Sequence, residues 1–138
     1  MKKLLLYVII LIANVSFSQE KLAKDNSYLK AIKLEKTDHE SLSFLNDAKI
    51  SWDFSTLDTK NVAVNIEVVT FFDCFNGANG SDINSQFFLL SKENFKTVGS
   101  AQIKHDETRT KCFKWRLKLT ENNVEKFSEW FYFIYLKE

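Results

Sequence analysis

Two stretches of strict alternation decide what kind of fold this chain can adopt. Val62, Val64, Ile66 and Val68 are interleaved with Ala63, Asn65 and Glu67; Phe113, Trp115, Leu117 and Leu119 are interleaved with Lys114, Arg116 and Lys118. A period of two places the apolar residues of each stretch on one face of an extended strand, which a helix of 3.6 residues per turn cannot do. Weaker versions of the signal recur between polar clusters and predict strands near 28–35, 49–55, 62–75, 86–91, 99–105, 111–120 and 128–137. Seven short strands with polar turns and no helix between them predict an all-β fold, a seven-stranded antiparallel β-sandwich. The stretch 35–47 is irregular, and its Leu42, Phe44 and Leu45 are expected to cap one open end of the core.

The first residues are of a different kind. Lys2 and Lys3 precede an unbroken apolar run over residues 4–13, and Ser16 and Ser18 flank Phe17 just before Gln19. That is the pattern of a secretory signal peptide over residues 1–18, followed by one β domain over 19–138. The apolar run is half of the roughly 20 residues that a membrane-spanning helix needs, so no stable membrane anchor is expected. No cysteine near the cleavage point offers a site for lipid, and the short lysine start looks bacterial. The product is expected to be exported, to the periplasm or the cell exterior. The formal charge of +1 falls to −1 once the two leader lysines are removed, which argues against a nucleic-acid partner.

Cys74 and Cys112 are the only cysteines. An even count in an exported chain predicts a disulfide. They lie at adjoining ends of the third and sixth predicted strands, antiparallel neighbours in such a sandwich. Closing a 38-position separation would contribute about 4 kcal/mol in the chain-entropy account. Strict alternation puts Cys74 on the apolar phase of its strand and Cys112 on the polar phase. The bond therefore requires a bulge near Thr70–Phe71 or irregular strand ends.

Ile50-Ser51-Trp52-Asp53 resembles the second strand of a fibronectin type III domain, whose tryptophan is a core residue. Phe113-Lys114-Trp115-Arg116-Leu117-Lys118, a polar turn, and then Ser128-Glu129-Trp130 resemble the last two strands of that family. The resemblance spans about 28–137 and implies an immunoglobulin-like sandwich acting as a non-catalytic interaction module. Phe113 stands where that family carries its corner tyrosine, and the chain has no proline.

Little in the chain suggests catalysis. His39 lies in Thr37-Asp38-His39-Glu40 and His105 in His105-Asp106-Glu107, but neither cluster has metal-ligand spacing, and both read as polar turns. Asp73 to Asp82 offers oxygen ligands without the spacing or terminal glutamate of a calcium loop. A nucleophile elbow and a phosphate loop are both lacking. Neither enzyme activity nor a cofactor is expected.

The last predicted strand is apolar on both faces, Trp130, Tyr132, Ile134 and Leu136 on one, Phe131, Phe133 and Tyr135 on the other. With the first set in the core, the second faces outward beside Phe71, Phe75 and one of Phe87 or Phe88, with Lys114, Arg116 and Lys118 projecting between the rings. Cations among aromatic rings suit a contact surface. The candidate binding surface is therefore Phe71, Phe75, Lys114, Arg116, Phe131, Phe133 and Tyr135. It would serve a protein partner or a homo-oligomer through the C-terminal edge strand. A carbohydrate-binding module is the alternative, and a small hydrolase or metal-dependent enzyme a more distant one. With 13 phenylalanines in the chain, a bland packing role for these rings is the competing account.

The leader leads to a direct expectation. N-terminal sequencing of the exported protein should begin at Gln19, allowing for its cyclisation, and recovery of intact Met1 in that pool would refute it.

Overall fold

In the computed structural model, which describes residues 19–75 and 83–137, the alternating stretches are strands. Residues 1–18, expected to be a leader, and residues 76–82 lie outside the described residues, and with the latter most of the segment considered for calcium. The strands are β1 (Glu20–Lys21), β2 (Ile32–Asp38), β3 (Asn46–Asp53), β4 (Val62–Phe71), β5 (Ile83–Leu90), β6 (Val98–Ile103), β7 (Cys112–Glu121), β8 (Val124–Phe127) and β9 (Phe131–Ile134). Two single helical turns, α1 (Ser27–Lys30) and α2 (His105–Thr108), interrupt them. One sheet runs β1-β8-β7-β4-β5 with β9 also on β7, and the other runs β2-β3-β6. Every pairing is antiparallel except β1 on β8.

The antiparallel sandwich is present, with more strands than the seven expected. Six of the expected segments are strands close to their anticipated places. The seventh is divided, and two further pieces of strand come from segments read as polar. Residues 28–30 are a helical turn rather than a strand start, because the Asn26 side-chain oxygen accepts from the Tyr28 N–H at 2.9 Å and caps it.

The core lies between the sheets. Val62, Val64, Ile66 and Val68 from β4 meet Phe113, Trp115, Leu117 and Leu119 from β7, and Ala48, Ile50 and Trp52 face them from β3. Trp52 donates from its indole N–H to the Lys96 carbonyl at 2.9 Å. Its ring lies over Gly99, the residue opposite it on β6. A Cβ at that glycine would sit 2.8 Å from Trp52 Cζ2. Of the expected capping residues, Leu45 is buried and Leu42 packs on the core, whereas Phe44 is exposed.

The disulfide is formed, with the two α-carbons 5.8 Å apart. Of the two expected irregularities, the irregular strand end reconciles its faces, because β4 keeps its alternation against β7 as far as Phe71 opposite Cys112. The register shift between Thr70 and Phe71 lies in the β4–β5 pairing, where Asn84 of β5 is the extra residue, and leaves the β4 faces unchanged. The strand then ends, and a turn in which Asp73 accepts the Phe75 N–H brings Cys74 round to the outer face.

The C-terminal hairpin departs most from expectation. Asn122 and Asn123 both have positive φ, 50° and 62°, the geometry of a tight two-residue hairpin turn. That turn sets Glu121 opposite Val124 and Lys118 opposite Phe127. Continued unbroken, it would put Trp130 opposite Trp115. Instead Phe131 stands opposite Trp115 and Phe133 opposite Phe113. One extra residue has been inserted around Ser128, whose hydroxyl accepts the Leu117 N–H at 3.0 Å and whose own N–H donates to the Leu117 carbonyl at 2.9 Å. A slip of one residue turns every later side chain to the other face. Phe133 and Tyr135 are consequently buried, and Tyr132, Ile134 and Leu136 are exposed, the reverse of the expected arrangement.

The fit of Trp52 on Gly99 can be measured by urea unfolding. Trp52→Ala should cost about 3–5 kcal/mol. Gly99→Ala, which only adds a methyl group, should cost about 1–3 kcal/mol by overpacking. An unchanged midpoint for Gly99→Ala would mean that the indole lies elsewhere.

Candidate functional site

The hairpin slip places β9 at the edge of the larger sheet with an unusual surface. Tyr135 N–H donates to the Lys111 carbonyl at 3.2 Å, so Phe131 and Phe133, opposite Trp115 and Phe113, direct their backbone groups to the β7 side. By the alternation of antiparallel pairs, the N–H and C=O of Tyr132 and Ile134 point away from β7. No strand among the described residues pairs with that side of β9. The exposed side chains of the same two residues lie beside it, 51% and 47% accessible.

A cleft of about 790 Å³ runs along this edge, and most of its lining is apolar. Residues of both β9 faces contribute: Tyr132 and Ile134 from the outer one, Phe133 and Tyr135 from the inner. Beyond them it is walled by Leu34 and Lys36 from β2, itself an edge strand of the smaller sheet. Cys74 and Phe75 form part of the rim, so the disulfide holds one wall in place. The chain end closes one side. Leu136 bridges to Leu45, Asn46 N–H donates to the Tyr135 carbonyl at 2.7 Å, and Lys137 Nζ lies 2.7 Å from Asp38. Burial, more than any neighbouring charge, pushes the Tyr135 phenol well above its ordinary pKa. Its oxygen accepts from the Thr108 hydroxyl at 3.0 Å.

The residues expected to form one surface are divided among the outer face of the larger sheet, the core and the cleft rim. Phe71, Lys114 and Arg116 come together on the outer face of the larger sheet, and their aromatic neighbours there are Trp130 and Phe127. Lys114 Nζ is 4.8 Å from the Trp130 ring centre and 5.9 Å from that of Phe71. The Arg116 guanidinium is 4.3 Å from Trp130 and 4.2 Å from Phe127. Arg116 also pairs with the buried carboxylate of Glu67 at 2.6 Å, and Gln86 donates to Glu67 as well. Lys114 is itself buried, so this ladder of cations and rings is satisfied from within. Phe131 stacks on Trp115 at 4.8 Å and Phe133 on Phe113 at 5.0 Å, facing the core. Phe75 alone of the set is fully open, on the cleft rim.

The two histidines, expected in separate turns, converge. β2 and β6 flank β3, with Lys36 and Ile103 both paired to Ala48, so the turns after them lie at the same end of the sheet. His39 Nε2 is 3.2 Å from Asp106 Oδ1, and His105 Nδ1 is 3.7 Å from the same oxygen. Three potential metal ligands thus lie within 4.8 Å of one another. The hydrogen bonding of His39 opposes a metal. Its Nδ1 accepts the backbone N–H of both Ser41 and Leu42 at 3.1 Å, which puts the proton on Nε2, where it donates to Asp106. A metal at Nε2 would need a proton on Nδ1, pointing at two donors. Buried His39 is a turn cap.

Thermal melts can test this. A tenfold molar excess of zinc should leave the midpoint within about 1 °C of the metal-free value, since only a ligand that binds the native state raises it. A rise of several degrees that disappears in His39→Ala would overturn the capping role.

Sequence reasoning missed Tyr132, Ile134, Leu136, Lys36 and Lys111, all of which line the cleft. The signal that points to them is the Asn122-Asn123 turn, which fixes the hairpin register against which the slip becomes visible. Among the described residues, no helix is long and apolar enough to cross a membrane. No family model matches the chain, and no curated protein matches it. Among solved structures it is similar to the sulfur carrier protein SoxY from Chlorobium limicola f thiosulfatophilum, at 13% identity and a TM-score of 0.36 over 94% of this chain and 89% of that one.

Proposed function

We propose that this chain is an exported, non-catalytic interaction module that binds a partner protein by adding an extended segment of it to the open edge of β9. The observation that carries the reading is the outward backbone of Tyr132 and Ile134 beside their own exposed side chains and an apolar cleft. Natural proteins seldom leave such an edge uncovered. An added strand would satisfy its hydrogen bonds and cover its apolar surface together. Export is supported by the leader pattern at residues 1–18 and by the disulfide.

A glycan platform needs coplanar exposed rings. The half-buried Trp130 and Phe127 instead lie under Arg116, which disfavours that reading. A hydrolase built on His39 would need its acceptor nitrogen as a base, and that nitrogen is already bonded to the Ser41 and Leu42 N–H groups.

Tyr132→Pro is the discriminating variant. It removes an outward N–H and none that pairs with β7, and proline is tolerated on such an edge. Proteins retained from the native envelope fraction by the wild-type chain should be lost with Tyr132→Pro at an essentially unchanged melting temperature. Retention of the same proteins by the folded variant would count against edge pairing.

A further inference from the structure

Resting on that reading of the β9 edge, we infer that the segment it takes alternates apolar with acidic residues. Side chains of an added strand turn alternately to the two sides of the sheet. On the outer side they meet Tyr132 and Ile134, apolar and exposed. On the inner side they enter the seam between the sheets, where Leu34 and Phe133 form the floor and Lys36 and Lys111 stand at the rim. Lys137, the third lysine of the cleft, is held by Asp38. Exposed Lys36 and Lys111 make no ion pair among the described residues. The seam thus offers positive charge on one side of the added strand only.

The β9 edge of a second copy supplies no matching charge. Its own edge segment, from Phe131 to Lys137, contains no acidic residue, so pairing edge to edge would leave both lysines unmet. The leader, which carries Lys2 and Lys3 and no carboxylate side chain, is no better suited. Charge complementarity selects a partner segment with carboxylates on its seam-facing positions.

The test uses an acetylated, amidated heptapeptide alternating valine with glutamate, and the same peptide with glutamine, titrated against the purified chain by calorimetry. The glutamate peptide should bind about five-fold more tightly, the yield of two exposed charge pairs. That preference should vanish in the Lys36→Gln, Lys111→Gln double variant, and fade in salt on the order of 0.5 M. Equal affinity for both peptides, or binding of neither, overturns the inference. So does a dimer in sedimentation that the glutamate peptide leaves intact, since the occupant would then be a second copy. Undiminished binding of the glutamate peptide to Tyr132→Pro would instead overturn the strand-addition reading itself, and keep the two failures distinct.

Discussion

Because β4 and β7 pair over ten consecutive residues, from Val62 opposite Glu121 to Phe71 opposite Cys112, the two faces of the larger sheet are decided there. One face of the ladder is apolar from Val62 to Val68 and from Phe113 to Leu119 and becomes half of the core. The other carries Glu67, Val69 and Phe71 against Arg116, Lys114 and Cys112, a mixture that neither water nor a hydrocarbon core suits. Its solution is local. Rings from the β8–β9 region cover the cation stems, Glu67 neutralises Arg116, and the disulfide fastens the end of the ladder. Such an arrangement is costly to break on one side, because removing Arg116 leaves a buried carboxylate without its counter-charge. It gives specificity to the register more than net stability.

Once the ladder is set, the remaining question is how the sheet edges are managed. β8 lies beside β7, and its outer side is covered by β1, with Leu22 N–H donating to the Phe127 carbonyl at 2.6 Å. The chain end crosses from the larger sheet to the start of β3 and ties the two sheets together at that end. Between these two covers lies β9. The module therefore already adds a short strand to one half of its C-terminal edge and leaves the other half open, an asymmetry that a purely structural role does not require.

Much of this was legible in the residues. Period-two alternation located β4 and β7 because both lie between a packed face and a polar one, where side-chain chemistry reports orientation directly. The cysteines were legible for the same reason, since their conflicting phases announced an irregularity at Phe71. Two features were not. The meeting of His39 with Asp106 depends on which turns share an end of the smaller sheet, a matter of topology that no local pattern carries. The orientation of β9 was hidden because it is apolar on both faces, so either phase satisfies the pattern equally well. Where hydrophobicity gives no preference, register comes from the turn and from any insertion after it.

That insertion is where fold and site coincide. With the Asn122-Asn123 register continued, Tyr132 would sit against Phe113 in the core and Phe133 would face outward. The residue added around Ser128 exchanges them. It stacks Phe133 on Phe113 and brings the Tyr135 hydroxyl to Thr108, so the phenol oxygen has a partner at depth. A phenylalanine and a tyrosine are gained by the core, and the cost is that Tyr132 and Ile134 lie on the surface next to an unpaired backbone. Ser128 makes the exchange possible by bonding both the N–H and the C=O of Leu117, which keeps the β7 ladder satisfied across the break. The bulge that completes the core is thus the same event that creates the open apolar edge, and neither could be altered without the other.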